Sequence, residues 1–402
     1  MKKFTFFLFL FFPLFCFAQN KTVKSVQQSP AFFANKQADS SRQAKPQVQN
    51  YSAPVQRGEY NKTVPFRPAN TQDKKENSFN KVSLDKAQKP INNNSNKPKP
   101  KPRPGNYHVI YWDNFIDTQS PKEPEWASKV LDANNLSLDG RGVQVAVLDS
   151  GIRQHSQLNG ASIEIMDITG QNDPFDSCGH GTAVAGIIVG QKGNDFKGIA
   201  PAVNLKSFKI ADESGTTNNN YIVSALDNVL EYNRQNPNAK INIINISYGL
   251  NQDNIELKNK LAEAYSSGIT IISASGNDGR QGLLYPARYN FIFAAGSIDK
   301  NKQISSFSNW GEGLDFVLPG SGLKTLGINN DYVWVRGTSF SSAYLTGIAA
   351  LATQAFKNKY GRLPSPQELY EVLQKISIPI KAVASAKQGY GVPDASKIVS
   401  YI

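Results

Sequence analysis

Between residues 143 and 318, short β-branched runs alternate with segments of helical period, and few architectures accommodate that alternation. The runs are Val143–Asp149, Ser162–Ile168, Asn204–Ile210, Ile241–Ser247, Ile269–Ser275, Phe291–Ile298 and Asp315–Leu318. Most are apolar nearly throughout instead of at every second residue, as strands covered on both faces must be. Helical periods fall at His180–Gly190, Asn220–Arg234, Ile255–Ser266, Thr338–Lys357 and Ser365–Lys375. The pattern predicts an α/β domain over residues 107–402, built on a mostly parallel seven-stranded sheet with helices on both faces. That length suffices for one large core.

The N-terminus reads differently. Lys2 and Lys3 precede an apolar run, Phe4–Phe17, which ends in Cys16-Phe17-Ala18 before Gln19. The run is too short for a membrane span and a polar tract follows it, so residues 1–18 read as a cleaved signal peptide. Export, to the periplasm or beyond the cell, is the expectation, with no transmembrane segment once the leader is removed. Cleavage leaves Cys178 as the single cysteine, so no internal disulfide is expected and stability must come from packing.

Residues 19–106 are rich in Gln, Asn, Lys, Ser and Pro, too polar to offset the entropy of ordering, and are expected to be disordered. The stretch Lys97–Gly105, with proline at every second position, reads as an extended spacer. This segment holds 17 Lys and Arg against 5 Asp and Glu, whereas the chain beyond residue 106 holds 25 against 27. The net charge of +12 therefore belongs to the tail. Such a tail suits contact with an acidic cell envelope, a cleavable pro-segment or a plain solvated linker. The nearly neutral remainder argues against a nucleic-acid partner.

Three stretches of the α/β region carry chemistry. Val145-Ala-Val-Leu-Asp-Ser-Gly151 sets Asp149 at the end of an apolar strand. Cys178-Gly-His-Gly-Thr-Ala-Val-Ala-Gly186 and Gly337-Thr-Ser-Phe-Ser-Ser342 set His180 and Ser339 at the starts of small-residue helices. Taken singly, each has a bland reading: an acidic residue ends many α/β strands, and a serine at a helix start is most often an N-cap. Together they make a nucleophile, a base that takes its proton and a carboxylate that orients the base. The order Asp, His, Ser is that of the subtilisin arrangement.

On these motifs residues 141–402 resemble the subtilisin family of serine peptidases. Further agreement comes from Gly198-Ile-Ala-Pro201, Ile244-Asn-Ile-Ser-Tyr-Gly249, Ser275-Gly-Asn-Asp278, Tyr285-Pro-Ala287 and Phe307-Ser-Asn309. The resemblance implies a catalytic triad of Asp149, His180 and Ser339, with Asn277 as side-chain donor of the oxyanion hole. It implies substrate-flanking edges at Ser214-Gly215-Thr216 and Ser247-Tyr248-Gly249, and a specificity pocket floored by Ala274, Ser275 and Gly276. Leu284 stands where many relatives have a small residue, which favours small or medium side chains before the cut. The expected function is a serine endopeptidase acting on protein or peptide substrates through an acyl-enzyme. A transpeptidase or cyclase on the same fold is the alternative, and a non-catalytic binding protein a weaker one.

The chain also departs from the family. Ala183 stands where secreted relatives usually carry histidine, and Phe340-Ser-Ser-Ala-Tyr344 replaces the usual Met-Ala-Ser-Pro-His. No metal ligand set or required cofactor is expected. In the loop Gln191–Lys197, Asn194 and Asp195 offer oxygens for a structural calcium ion, but the loop is short and holds two lysines, so either reading stands. Cys178 reads as a small buried hydrophobe or as a thiol open to reagents, not as a competing nucleophile.

Overall fold

A computed structural model describes residues 115–402, apart from 121, 135, 192, 194–195 and 213–214, and the backbone of 82–83 and 107–109. Two short strands, β1 (Val82–Ser83) and β2 (Tyr107–Val109), precede helix α1 (Trp126–Val130), β3 (Gln144–Asp149) and β4 (Ser162–Asp167). Then come α2 (His180–Val189), β5 (Asn204–Lys209), β6 (Thr216–Asn218) and α3 (Asn219–Gln235). They are followed by β7 (Ile243–Ile246), α4 (Ile255–Ser266), β8 (Thr270–Ala274), β9 (Phe293–Ile298) and β10 (Phe316–Pro319). A hairpin of β11 (Leu323–Leu326) and β12 (Tyr332–Val335) leads into α5 (Thr338–Tyr360) and α6 (Pro366–Ile376).

The main sheet has the order β1-β4-β5-β3-β7-β8-β9-β10. Its seven strands from β4 to β10 in that order are parallel, as the apolar runs predict, and β1 adds an antiparallel edge on β4. β1 lies inside the segment 19–106 expected to lack structure. The rest of that segment, except β1, and the signal sequence 1–18 lie outside the described residues.

Side chains of β3 alternate between two cores, as the pleat requires. Val145 and Val147 join α2 and α5 on one face, while Ala146 and Leu148 meet Ile222, Leu226 and Val229 of α3 and Leu257 and Leu261 of α4 on the other. The outer helices α3 and α4 start at asparagine caps: Asn218 accepts from Tyr221 N–H and Asn254 from Leu257 N–H. Ser365 and Glu368 form a reciprocal capping box on α6.

Helix α5 is unlike these. It is buried from Thr338 to Phe356 and crosses under β7 to β10. Its small residues make that passage feasible: a Cβ added at Gly347 would lie 2.6 Å from Cβ of Ile199.

After β3 the chain builds outward first through β4 and β5 and then, on the other side, through β7. The carboxyl end of β3 is therefore a point where the winding reverses, and in open α/β sheets ligands gather at such points. Asp149 occupies it.

Candidate active site

Asp149 is the last residue of β3 and is buried. Its Oδ1 accepts the Ser150 backbone N–H at 2.8 Å and the Nδ1–H of His180 at 2.7 Å. That bond fixes the imidazole's orientation and leaves Nε2 as the nitrogen available for proton transfer. Burial of His180 opposes its charged form. The charge and hydrogen bond of Asp149, helped by the more distant Asp176, outweigh that opposition and hold its pKa above the ordinary histidine value.

Glycine is required on both sides of His180, for different reasons. Gly179 has φ +99°, which side chains with a Cβ rarely adopt. At Gly181 the reason is contact: an added Cβ would sit 2.1 Å from the Gly151 carbonyl oxygen and 3.2 Å from Asp149 Oδ1. Only a bare backbone lets the start of α2 come this close to the aspartate turn.

Asp176, four residues before His180, was not singled out in the sequence and is a main tie between the two loops. It is fully buried. Its Oδ1 accepts from Ser150 Oγ at 3.0 Å, Cys178 N–H at 2.9 Å and Gly179 N–H at 2.8 Å. Its Oδ2 accepts from Thr182 N–H at 2.8 Å and Thr182 Oγ at 2.6 Å. Burial raises its pKa, against the pull of these hydrogen bonds. The legible signal was an aspartate just ahead of a helix start, where acidic residues serve free N–H groups.

Ser339 is the second residue of α5. Its carbonyl accepts from Ser342 Oγ at 2.7 Å and from Ser247 Oγ at 3.3 Å. Asn245 completes this floor, donating to Ser342 Oγ and Thr346 Oγ1 and accepting from Ser247 Oγ. The Ser247 side chain thus supports α5 from below. Phe340, next to Ser339, lies against the His180 ring with centroids 5.4 Å apart, which sets the two helix starts side by side. Among the described residues the Ser339 hydroxyl makes no hydrogen bond, to His180 or to any other group. Such bonds are often long before substrate arrives.

Asn277 follows β8 and is exposed. Its Oδ1 accepts both Thr338 N–H and Thr338 Oγ at 2.9 Å, and that hydroxyl in turn accepts Gly276 N–H at 3.2 Å. With the oxygen so engaged, the amide must present its Nδ2 away from Thr338. A Cβ built on Gly337, whose φ is +144°, would lie 3.5 Å from that nitrogen. Asn309 steadies the turn from behind by accepting Asp278 N–H at 2.9 Å.

Residues expected to flank substrate are partly gathered here. Ser214 lies outside the described residues, and Gly215 is in a turn with φ +76°. Tyr248 is buried, and Ser275 donates its hydroxyl to the Asn309 carbonyl at 3.1 Å while its own carbonyl accepts Leu284 N–H at 3.0 Å. Ala274 ends β8, buried. Leu284 is wedged between two glycines: Cβ atoms added at Gly249 and Gly276 would meet its side chain at 2.7 and 2.8 Å. Both contacts place the isobutyl group between Gly249 of the expected substrate edge and Gly276 of the expected pocket floor.

The departures from the family lie in the support of α5 and in the first turn of α2. Ser341 donates to the carbonyls of Leu318 and Pro319, and Ala183 is buried with its carbonyl accepting from Thr325. Cys178 is held protonated by burial and by the charges of Asp176 and Asp149, which fits the inert reading. Among the described residues no three His, Cys, Asp or Glu side chains gather as a metal set. Asn194 and Asp195 lie outside the described residues. No described helix is long and apolar enough to cross a membrane.

The fold is a parallel α/β sheet with a buried Asp–His pair at its reversal point, beside a helix that starts at Thr338-Ser339. Residues 140–391 match the sequence model of the Subtilase family, and the chain belongs to that family. It is 36% identical over 226 residues to M-protease of Shouchella clausii, a match covering 55% of this chain and 57% of that protein. The same identity relates it to Subtilisin Savinase of Lederbergia lenta, of which 80% is covered. Alkaline elastase YaB of a Bacillus strain is 34% identical, with 57% covered. The match thus spans little more than half the length of two of these relatives.

Proposed function

We propose that this chain is an exported serine endopeptidase that cleaves peptide bonds through an acyl-enzyme. The observation that carries the reading is the Asp149–His180 bond at 2.7 Å, set beside the helix start that bears Ser339. Ser339 Oγ attacks the substrate carbonyl as its proton passes to His180 Nε2, and Asp149 stabilises the imidazolium that forms. The Ser339 backbone N–H at the start of α5 and the Nδ2–H of Asn277 receive the oxyanion. His180 then protonates the departing amine, and water, deprotonated by the same ring, releases the acyl group. No step calls for a metal or cofactor. Export rests on the leader sequence of residues 1–18.

Release of peptides from a denatured protein by purified wild type, absent in His180→Ala, tests this reading. Peptide release that persists in the variant contradicts it.

Asn277→Ala is expected to lower kcat by about 10²–10³, the magnitude known for the corresponding loss in subtilisin. KM should change little, because the amide meets charge that develops only after attack. Steady-state kinetics on a chromogenic peptide decides the matter, and unchanged kcat removes Asn277 from the mechanism.

Leu284 between Gly249 and Gly276 predicts a shallow pocket. A peptide-library profile should favour alanine- to valine-sized side chains before the cut, and Leu284→Gly should extend acceptance to Phe. A wild-type profile dominated by Phe or Lys contradicts this.

A further inference from the structure

We infer that Lys209, a buried group that the mechanism above does not use, is a positioning residue of this site. Its ammonium clamps residues 173–176 to the carboxyl end of the sheet and so holds the His180 ring on Asp149. This rests on the peptidase reading proposed above and deepens it.

Lys209 is the last residue of β5, as Asp149 is of β3, and the two are partners in the parallel register. Their side chains therefore leave the same face of the sheet, the one on which Val147 and Leu205 join the core with α2. Burial of the lysine is complete, at 0% exposed. A buried ammonium is costly unless its protons are taken up. Nζ donates to the Asp173 carbonyl at 2.8 Å and to the Phe175 carbonyl at 2.9 Å, one on each side of Pro174. An apolar side chain would fill the same space without that cost. What the ammonium adds is a grip on a loop.

The loop so held carries the parts that aim the base. The residue after Phe175 is Asp176, whose carboxylate accepts Gly179 N–H and Thr182 N–H, both at 2.8 Å, on either side of His180. The same loop is fitted closely to the aspartate turn. A Cβ added at Gly151 would lie 2.6 Å from the Pro174 carbonyl oxygen and 3.0 Å from the Asp176 nitrogen. Arg153 completes the joint by donating Nε–H to the Asp176 carbonyl at 3.0 Å. Cationic donors thus hold the carbonyls of Asp173, Phe175 and Asp176. The charge of Lys209 contributes as well: at Cys178 it acts against the combined charges of Asp176 and Asp149. It therefore offsets part of the repulsion between two carboxylates buried in one site.

Without the ammonium, the carbonyls of Asp173 and Phe175 lose their donor in a dry interior, where an unpaired polar group is expensive. The loop must move to satisfy them, and Asp176 moves with it. Misplacing a catalytic group by about 1 Å is enough to cost about 10²-fold in rate. Lys209 reaches the base through the loop and not the substrate, so the loss should fall on kcat and leave KM.

Lys209→Met keeps the stem of the side chain and deletes the ammonium. In the full chain it is expected to lower kcat on a chromogenic peptide about 10²-fold with KM nearly unchanged. It should also shift or broaden the far-downfield proton resonance of the His180 Nδ1–H that is bonded to Asp149. A lysine that only stabilises the fold would lower the melting temperature and leave both readouts of the folded enzyme alone. Lys209→Gln, which keeps a shorter donor in the same place, should change both readouts in the same direction but less, whether or not Lys209→Met folds. Wild-type kcat or an unmoved His180 resonance in whichever variant folds overturns the inference, and so does failure of both to fold. A wild type that turns over no peptide overturns the peptidase reading instead, and the resonance then decides the positioning role by itself.

Discussion

Ser339→Ala is expected to reduce kcat by about a million-fold, a figure that belongs to the subtilisin series, while the fold survives. The serine's hydroxyl holds nothing in place among the described residues. The bonds that anchor this turn, from Ser247 and Ser342, go to its backbone carbonyl, which alanine retains. Alanine also suits a buried helix start. His180→Ala should cost about as much, and the double variant little more, because a base without its nucleophile has no proton to take. Single-turnover rates on a chromogenic peptide, with thermal melts as control, measure both effects. A loss of only tenfold in Ser339→Ala would show that another group attacks.

Asp149→Asn should lower kcat by about 10⁴, as for triads of this type in general, with the backbone undisturbed. The carboxylate accepts His180 Nδ1–H at 2.7 Å, and an amide can present its NH₂ there instead, favouring the tautomer that carries the proton on Nε2. A ring so protonated cannot take the serine proton. The pH profile gives a second readout. Burial opposes the imidazolium in this site, and the Asp149 charge more than compensates. The active form is the neutral ring, so wild-type kcat/KM should fall with decreasing pH along a limb centred above the free imidazole value of about 6.5. Removing the charge removes the attraction that holds the proton, so the limb in Asp149→Asn moves to lower pH. A limb unmoved by the substitution would mean that the profile reports a different group.

The sheet was legible because its strands are buried on both faces, which writes them as continuous apolar runs. β4, for example, spans Ser162–Asp167 against an expected Ser162–Ile168, and α4 falls at Ile255–Ser266 as expected. What escaped were the strands made by pairing instead of composition. β6, β11 and β12 are three or four residues each, and their existence depends on a distant partner that local pattern does not reveal. The antiparallel β1 falls in a polar stretch for the same reason. At the site, residues that react carry motifs, whereas those that position them do not. Asp176 serves through five hydrogen bonds to its own loop and to Ser150, and Asn245 through hydroxyls on α5, contacts created only when remote segments meet. Ser247 was expected at the substrate edge; its side chain is committed to the floor beneath Ser339. Phe115 carries no motif, and its place on the His180 ring comes with the pairing of its neighbours to the end of β12.

The most direct measurement is peptide mapping by mass spectrometry after exposure of the wild-type chain to a fluorophosphonate, beside His180→Ala and Ser339→Ala. A serine activated by the Asp149–His180 pair predicts one adduct, on the peptide containing Ser339, lost in both variants. An adduct on another residue, or equal labelling of His180→Ala, would contradict it.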